Sequence, residues 1–174
     1  MRHWWVNQNQ TYRHEVSGGY LWSRKRKSND YRNPFYESMR EVAPGDVIFS
    51  FFGTRIAALG IARSYCYESP KPTEFGSAGA YWEAIGWKID VSFRELQSPV
   101  RPKDHIAELR SLLPKKYSPL RPNGDGLQSV YRAEVSGRAL APAHCWAQCY
   151  FHRLRLRRSE SFLEPVCLLE SCMR

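Results

Sequence analysis

"NPFYESMREVAPGDVIFSFFGTRIAALGIARS", residues Asn33–Ser64, holds the clearest structural signals of the 174-residue chain. Asn33 is a side-chain acceptor suited to an N-cap, and Pro34 fits the first helical position because its missing N–H is unneeded there. Phe35, Met39 and Val42 then repeat at helical spacing. Pro44-Gly45-Asp46 stops the helix. Val47–Phe52, six apolar or small residues in a row, reads as a buried strand. Gly53-Thr54-Arg55 is a turn of hairpin length, and residues 56–64 read as the returning strand. Gly60 in its middle marks a bulge or a close backbone approach. Strand alternation puts Phe49 and Phe51 on one face and Ser50 and Phe52 on the other.

The same reading extends outward. His3–Asn7 is aromatic and β-branched and reads as a short strand. Residues 8–17 read as a polar loop, Gly18-Gly19 as a turn, and Tyr20–Trp22 as a brief extended piece. "ESPKPTEFGSAG" (68–79) is loop by composition. Trp87–Leu96 alternates in strand fashion. Residues 102–114 predict a short amphipathic helix with Ile106, Leu109, Leu112 and Leu113 on one face. Short returns between strands, with few helices, point to an α+β domain around a curved, mainly antiparallel or mixed sheet, possibly a small barrel. Residues 137–174 differ in texture: they hold four of the five cysteines and the run "RLRLRR".

Composition bounds the function. The length fits one domain, with room for an appendage. A net charge of +9 suggests a polyanionic partner, most often nucleic acid. Aromatic residues make up 14 %, which hints at stacking surfaces beyond the core. Residues 1–20 lack the long apolar run of a signal peptide, and nothing later reaches membrane-spanning length. The expectation is a cytoplasmic protein without membrane association, in which disulfides are not the default.

Trp22 stands directly before Arg24, Lys25, Arg26 and Lys27, with Ser23 between. Stacking a base on an aromatic ring is worth about 1–3 kcal/mol, and adjacent cations neutralise phosphates. A nucleotide is both flat and charged, so one ligand would satisfy the whole run. The alternative is a core tryptophan followed by a solvated loop, and the residues alone leave the two open. Trp4, Trp5, Phe49, Phe51, Phe52 and Trp87 are further candidates for an aromatic cage around a flipped base, though most strand aromatics are simply core. Asn7, Asn9, Ser23, Ser50 and Gln128 are candidates for the base edge.

Catalysis finds little support. The chain has no G-x-S-x-G, no H-E-x-x-H and no Walker-type loop, so no cofactor is expected. Asp46 sits at a turn and reads as structural, His105 reads as exposed, and Glu74 and Asp90 show no partner. Cys145, Cys149 and His152, with Cys167 or Cys172, could supply four metal ligands. Their spacings match no standard zinc motif, so unrelated thiols are favoured and no metal is expected.

Taken in order, "HWWVNQNQTYR…GGYLWSRKRK…RNPFYESMREVAPGDVIFSF…RIAALGIA…YESPKPTEF…WKIDVSF" resembles the EVE domain of the PUA-like superfold, itself similar to YTH domains. The elements are Trp4-Trp5, Trp22, Arg32-Asn33, Gly45-Asp46, Gly60-Ile61 and Pro70-x-Pro72-Thr73-x-Phe75. The resemblance spans roughly residues 3–135 and sets the expected domain at 1–136, with 137–174 a separate tail, possibly truncated or frameshifted. More narrowly, the chain looks like the N-terminal specificity domain of modification-dependent restriction endonucleases that fuse EVE to HNH.

The resemblance implies a PUA-like fold and a reader of modified bases, expected to be 5-methyl- or 5-hydroxymethylcytosine flipped out of duplex DNA. It implies Trp22 as a loop residue forming a pocket wall, and Arg24, Lys25, Arg26 and Lys27 as the phosphate-facing rim. Trp5, Phe51, Asn9, Ser23 and Gln128 complete the expected pocket. No HNH motif follows residue 137, so cutting is expected from a nuclease partner in trans, and the chain is not expected to be an enzyme by itself. Where the family usually opens with K-S-E-P, this chain has Asn7-Gln8-Asn9-Gln10, which changes the polar groups on offer. An RNA-binding module of the same fold, or a nuclease or hydrolase with a metal site in the tail, are the alternatives.

Overall fold

A computed structural model describes residues 1–26, 31, 33–111, 113 and 118–126. Six strands form one mixed sheet in the order β1-β3-β4-β6-β2, with β5 also paired to β6. They are β1 (His3–Asn7), β2 (Tyr20–Arg24), β3 (Val47–Phe52), β4 (Arg55–Ala62), β5 (Tyr67–Pro70) and β6 (Ile85–Val100). β1 runs parallel to β3, and every other pairing is antiparallel. The 16-residue β6 joins the two halves: its first part pairs with β2 and β5, and its later part with β4. With three short α-helices among the described residues, this is the α+β architecture around a curled mixed sheet that the sequence predicts.

The helix after Asn33 forms as its residues dictate. The Asn33 side chain accepts from the Phe35 N–H at 3.1 Å, and Pro34 opens α2 (Pro34–Glu37), which tightens into a 3₁₀ turn over Ser38–Glu41. Its Met39 and Val42 pack against Trp4 of β1, Ile48 of β3, Leu21 of β2 and Ile89 and Val91 of β6. The opposite face of β1 and β3 carries a second layer, where Trp5 meets Phe51 with ring centroids 5.2 Å apart. Alternation along β3 is kept, so Phe49 and Phe51 lie away from Ile48 and Ser50. Gly60 marks a close approach: a Cβ there would fall 2.5 Å from Val91 and 2.8 Å from Phe93.

Four sequence expectations need correction. Residues 8–17 are not all loop, because α1 spans Tyr12–Gly18 and ends on Gly19 at φ +72°. Its buried residues are Tyr12, stacked on Phe52, and Glu15, which is held by hydrogen bonds, one of them from the N-cap Thr11. The segment 68–79 is not all loop either, since β5 takes Tyr67–Pro70 at the sheet. The helix predicted over 102–114 is a 3₁₀ turn (Pro102–His105) followed by α3, only Ile106–Leu109. Glu74 and Asp90 are partnered: each accepts a tyrosine hydroxyl, from Tyr20 at 2.7 Å and from Tyr67 at 2.8 Å.

Asp46 is structural, as expected. Its carboxylate accepts from the Trp4 indole N–H at 2.8 Å, the Arg2 N–H at 2.8 Å and the Ala43 N–H at 3.1 Å. Burial pushes its pKa up, but those donors and the Arg2 charge outweigh it and hold the carboxyl below the ordinary value. No helix among the described residues is long and apolar enough to cross a membrane. The tail from 137 onward, with Cys145, Cys149, His152, Cys167 and Cys172, lies outside the described residues.

Candidate functional site

A cavity of about 100 Å³ opens where the end of β1, helix α1, strand β2 and helix α2 meet. That volume exceeds what a few water molecules need. Its apolar floor is Ile48, Ile89, Leu21 and Met39, and its rim carries Trp22, Trp82 and Tyr36.

Trp22 is not a loop residue, as the resemblance implies, but the centre of β2, paired with Lys88 of β6. It is 5 % exposed and packs with Tyr20, Phe75 and Trp82. Its indole N–H donates to the Ser69 carbonyl at 3.2 Å. Trp22 and Trp82 lie nearly parallel, centroids 6.0 Å apart and planes at 13°, while Phe75 stands edge-on to both. So the tryptophan is at once core and cavity wall.

Trp82 comes from the connection between β5 and β6, which closes at its base through Lys71 N–H to the Ala84 carbonyl at 2.8 Å. Gly79, at φ +66°, makes room for the indole, since a Cβ there would lie 2.2 Å from the ring. Gly86 does the same for Trp22: a Cβ would meet its ring at 2.3 Å and the Ser23 carbonyl at 2.4 Å. Gly86→Ala is expected to push Trp22 out of register with Trp82, destabilising the domain by about 1–3 kcal/mol, the usual cost of overpacking. Urea unfolding checks this, and a stability unchanged from wild type would show that the Trp22 wall yields freely.

The polar groups converge on Glu15. Its Oε1 accepts from the Trp22 N–H at 2.7 Å, and its Oε2 accepts from Thr11 Oγ1 and Gln8 Nε2, each at 2.7 Å. Gln8 Oε1 in turn accepts from the Ser50 hydroxyl. Burial pushes the Glu15 carboxyl up to about 6, while the three hydrogen bonds pull it back toward the ordinary range. A carboxylate offers about four acceptor positions, so Oε1 keeps one. The indole N–H of Trp5, whose ring lies against Phe51 on the other face of the sheet, is buried and has no acceptor.

Of the candidates named from the sequence, the cavity lining joins Trp4, Trp5, Asn7, Trp22, Ser23 and Arg24. Phe51 is not among its lining residues, because it shares the far face of β3 with Phe49. Asn9 is exposed and also outside the lining. Lys27 and Gln128 lie outside the described residues. Sequence reasoning passed over Trp82 and Glu15. The signal for Trp82 was an aromatic pair, Tyr81-Trp82, closing a glycine-rich loop; for Glu15, an acid four residues after Thr11 in a segment read as loop.

Within the described part of the basic run, Arg24 is tied to a tyrosine, and Lys25 and the Arg26 N–H to acids. Arg24 Nε donates to the Tyr36 hydroxyl at 2.9 Å, and its guanidinium lies over the Tyr36 ring. Lys25 Nζ pairs with Glu68 at 2.5 Å and sits 4.6 Å from the Trp87 ring centroid. The N–H groups of Lys25 and Arg26 both donate to Glu83 Oε2, at 3.0 and 3.2 Å. Among the described residues no group of three His, Cys, Asp or Glu is placed to hold a metal ion. The site brings together two near-parallel indoles, a buried carboxylate and the Arg24 side chain.

No protein-family model and no curated protein matches the sequence. Among solved structures, the chain is similar to PSPTO5229 of Pseudomonas syringae, at 15 % identity and TM-score 0.52, over 83 % of this chain and 98 % of that one. That likeness shows a shared fold. Weaker likenesses are to Rpa0253 of Rhodopseudomonas palustris (14 % identity, TM-score 0.40, over 64 % and 71 %) and to the Pho92 YTH domain in complex with m6A (11 % identity, TM-score 0.45, over 94 % and 89 %).

Proposed function

We propose that this protein is an EVE-type, PUA-like reader of a modified base, which it takes flipped from duplex DNA into the cavity beside Trp22. The observation that carries the reading is the near-parallel Trp22–Trp82 pair beside a cavity lined by a buried carboxylate. Flipping a base costs a few kcal/mol of unstacking, and stacking plus edge hydrogen bonds must recover it. The indoles supply the stacking. The free acceptor position on Glu15 suits an exocyclic amino N–H. A modified cytosine presents one, and its added group contacts the apolar floor. The net charge of +9 supports a polyanionic ligand. In this reading the chain is the specificity module of a modification-dependent restriction system, and a nuclease in trans does the cutting.

The test is a titration against matched duplexes carrying cytosine, 5-methylcytosine, 5-hydroxymethylcytosine or N6-methyladenine, at two salt concentrations. One modified-cytosine duplex is expected to bind about tenfold tighter than its plain match, a difference of about 1.4 kcal/mol. All affinities are expected to fall with salt. Equal binding to all four duplexes would overturn the reader. Preference for single-stranded RNA would move it to the RNA module of the same fold.

A further inference from the structure

Successive N–H groups of a strand point to opposite sides, so two that converge on one oxygen mark a special place. At the end of β2 the N–H groups of Lys25 and Arg26 do so, and the oxygen they hold is Glu83 Oε2. Converging main-chain donors of this kind form an anion-binding concavity. A carboxylate already sits in it, which shows by its own occupancy what charge the concavity takes. Glu83 directly follows Trp82, the outer indole of the stacked pair. A third ring between two others needs about 7 Å, twice the ~3.5 Å carbon–carbon contact distance. At 6.0 Å the pair is closed, so Trp82 must move outward before a base enters. Its N–H bond to the Gly79 carbonyl and its edge contact with Phe75 restrain it, and so does the anchored Glu83 next in the chain.

We propose that the Lys25 and Arg26 N–H pair is a phosphate site, held shut by Glu83 in the free protein. A phosphodiester of the nucleic acid displaces the Glu83 carboxylate there and frees Trp82 to open the pocket. The inference rests on the reader reading for its ligand but not for its geometry. Phosphate is the better occupant once bound, because it brings more than one charged oxygen to the two donors and to the neighbouring Arg24 and Lys25 cations. Displaced, Glu83 is an exposed carboxylate that water solvates at little cost. Backbone contact would then come first and base entry second, so that only a protein already seated on nucleic acid opens its pocket.

The test uses the full chain labelled with fluorotryptophan, the Trp82 line being assigned by its loss in Trp82→Phe. The probes carry no base to read: a duplex with one abasic site, and inorganic phosphate, each against sodium chloride of equal ionic strength. The abasic duplex is expected to shift the Trp82 line saturably, with or without a matching shift from phosphate. In Glu83→Ala the line is expected to start near its shifted position. The abasic duplex is expected to bind roughly tenfold tighter, because the site no longer spends most of its time filled by its own carboxylate. Glu83→Gln is expected to fall between.

An unshifted line with the abasic duplex overturns the latch, and so does a shift with free phosphate alone. An affinity unchanged in Glu83→Ala overturns it too. Loss of base discrimination in the four-duplex titration sinks the reader and leaves this result standing, so the two failures are distinguishable.

Discussion

Replacing Trp22 by alanine is expected to lower the unfolding free energy by about 3–5 kcal/mol, the range for a large aromatic truncated in a packed core. The side chain is 5 % exposed, touches Tyr20, Phe75 and Trp82, and holds the Ser69 carbonyl through its indole N–H. Alanine keeps none of these contacts and leaves Trp82 without its stacking partner. A domain of this size has only about 5–15 kcal/mol to lose, so the variant sits close to its limit. Read as a loop residue, Trp22 would have been replaceable without harm to the fold; its place at the centre of β2 reverses that expectation. Urea unfolding is the measurement, with the midpoint moving and the slope unchanged. A loss under about 1 kcal/mol would mean that Trp22 is not core.

Because alanine confounds stability with binding, Trp22→Phe is the variant for function. It retains a flat ring and gives up the Ser69 bond, so it separates stacking from folding.

The parts of the fold that were legible are those whose signals are local. Asn33-Pro34 caps its own helix, Gly45-Asp46 turns its own chain, and six apolar or small residues in a row, five of them buried, make β3 wherever they fall. What was not legible depends on contacts made elsewhere. Helix α1 hid because it is short and buries only Tyr12 and Glu15, and one aromatic beside one acid makes no apolar period to detect. Strand β5 hid behind Pro70, and it stands because it pairs with the start of β6, far along the chain. The site divided in the same way. Trp22, Ser23 and Arg24 are adjacent in sequence and reach the cavity together. Trp82 arrives from another loop, and only the folded chain lays it parallel to Trp22. Phe51 looked equivalent to its strand neighbours, yet alternation alone sends it to the far side of the sheet.

Glu15 makes the other large effect, and its sign follows from burial. Its carboxyl is raised from the ordinary 4.5 to about 6. The folded protein therefore holds this proton more tightly than the unfolded chain does. Stability contributed by the protonated group is fully present below pH 4.5 and is lost as pH rises through about 6. The loss amounts to about 2 kcal/mol. Glu15→Gln cannot titrate, so the difference in stability between wild type and this variant is expected to change by that amount from pH 4.5 to pH 7. Other carboxylates cancel in the comparison. Glu15→Ala is the harsher change, since it strands the Trp22 N–H and the Gln8 amide at about 1–3 kcal/mol for each buried donor left unmade.

Parallel stability profiles for wild type and Glu15→Gln would show that the carboxyl does not titrate in this range. The same proton reports on recognition. If an amino group of the flipped base takes the remaining position on Oε1, only the carboxylate accepts it. Affinity for the preferred modified duplex is then expected to rise as pH climbs through about 6 in wild type and to stay flat in Glu15→Gln. A rise that persists in the glutamine variant would place the edge-reading group somewhere other than Glu15.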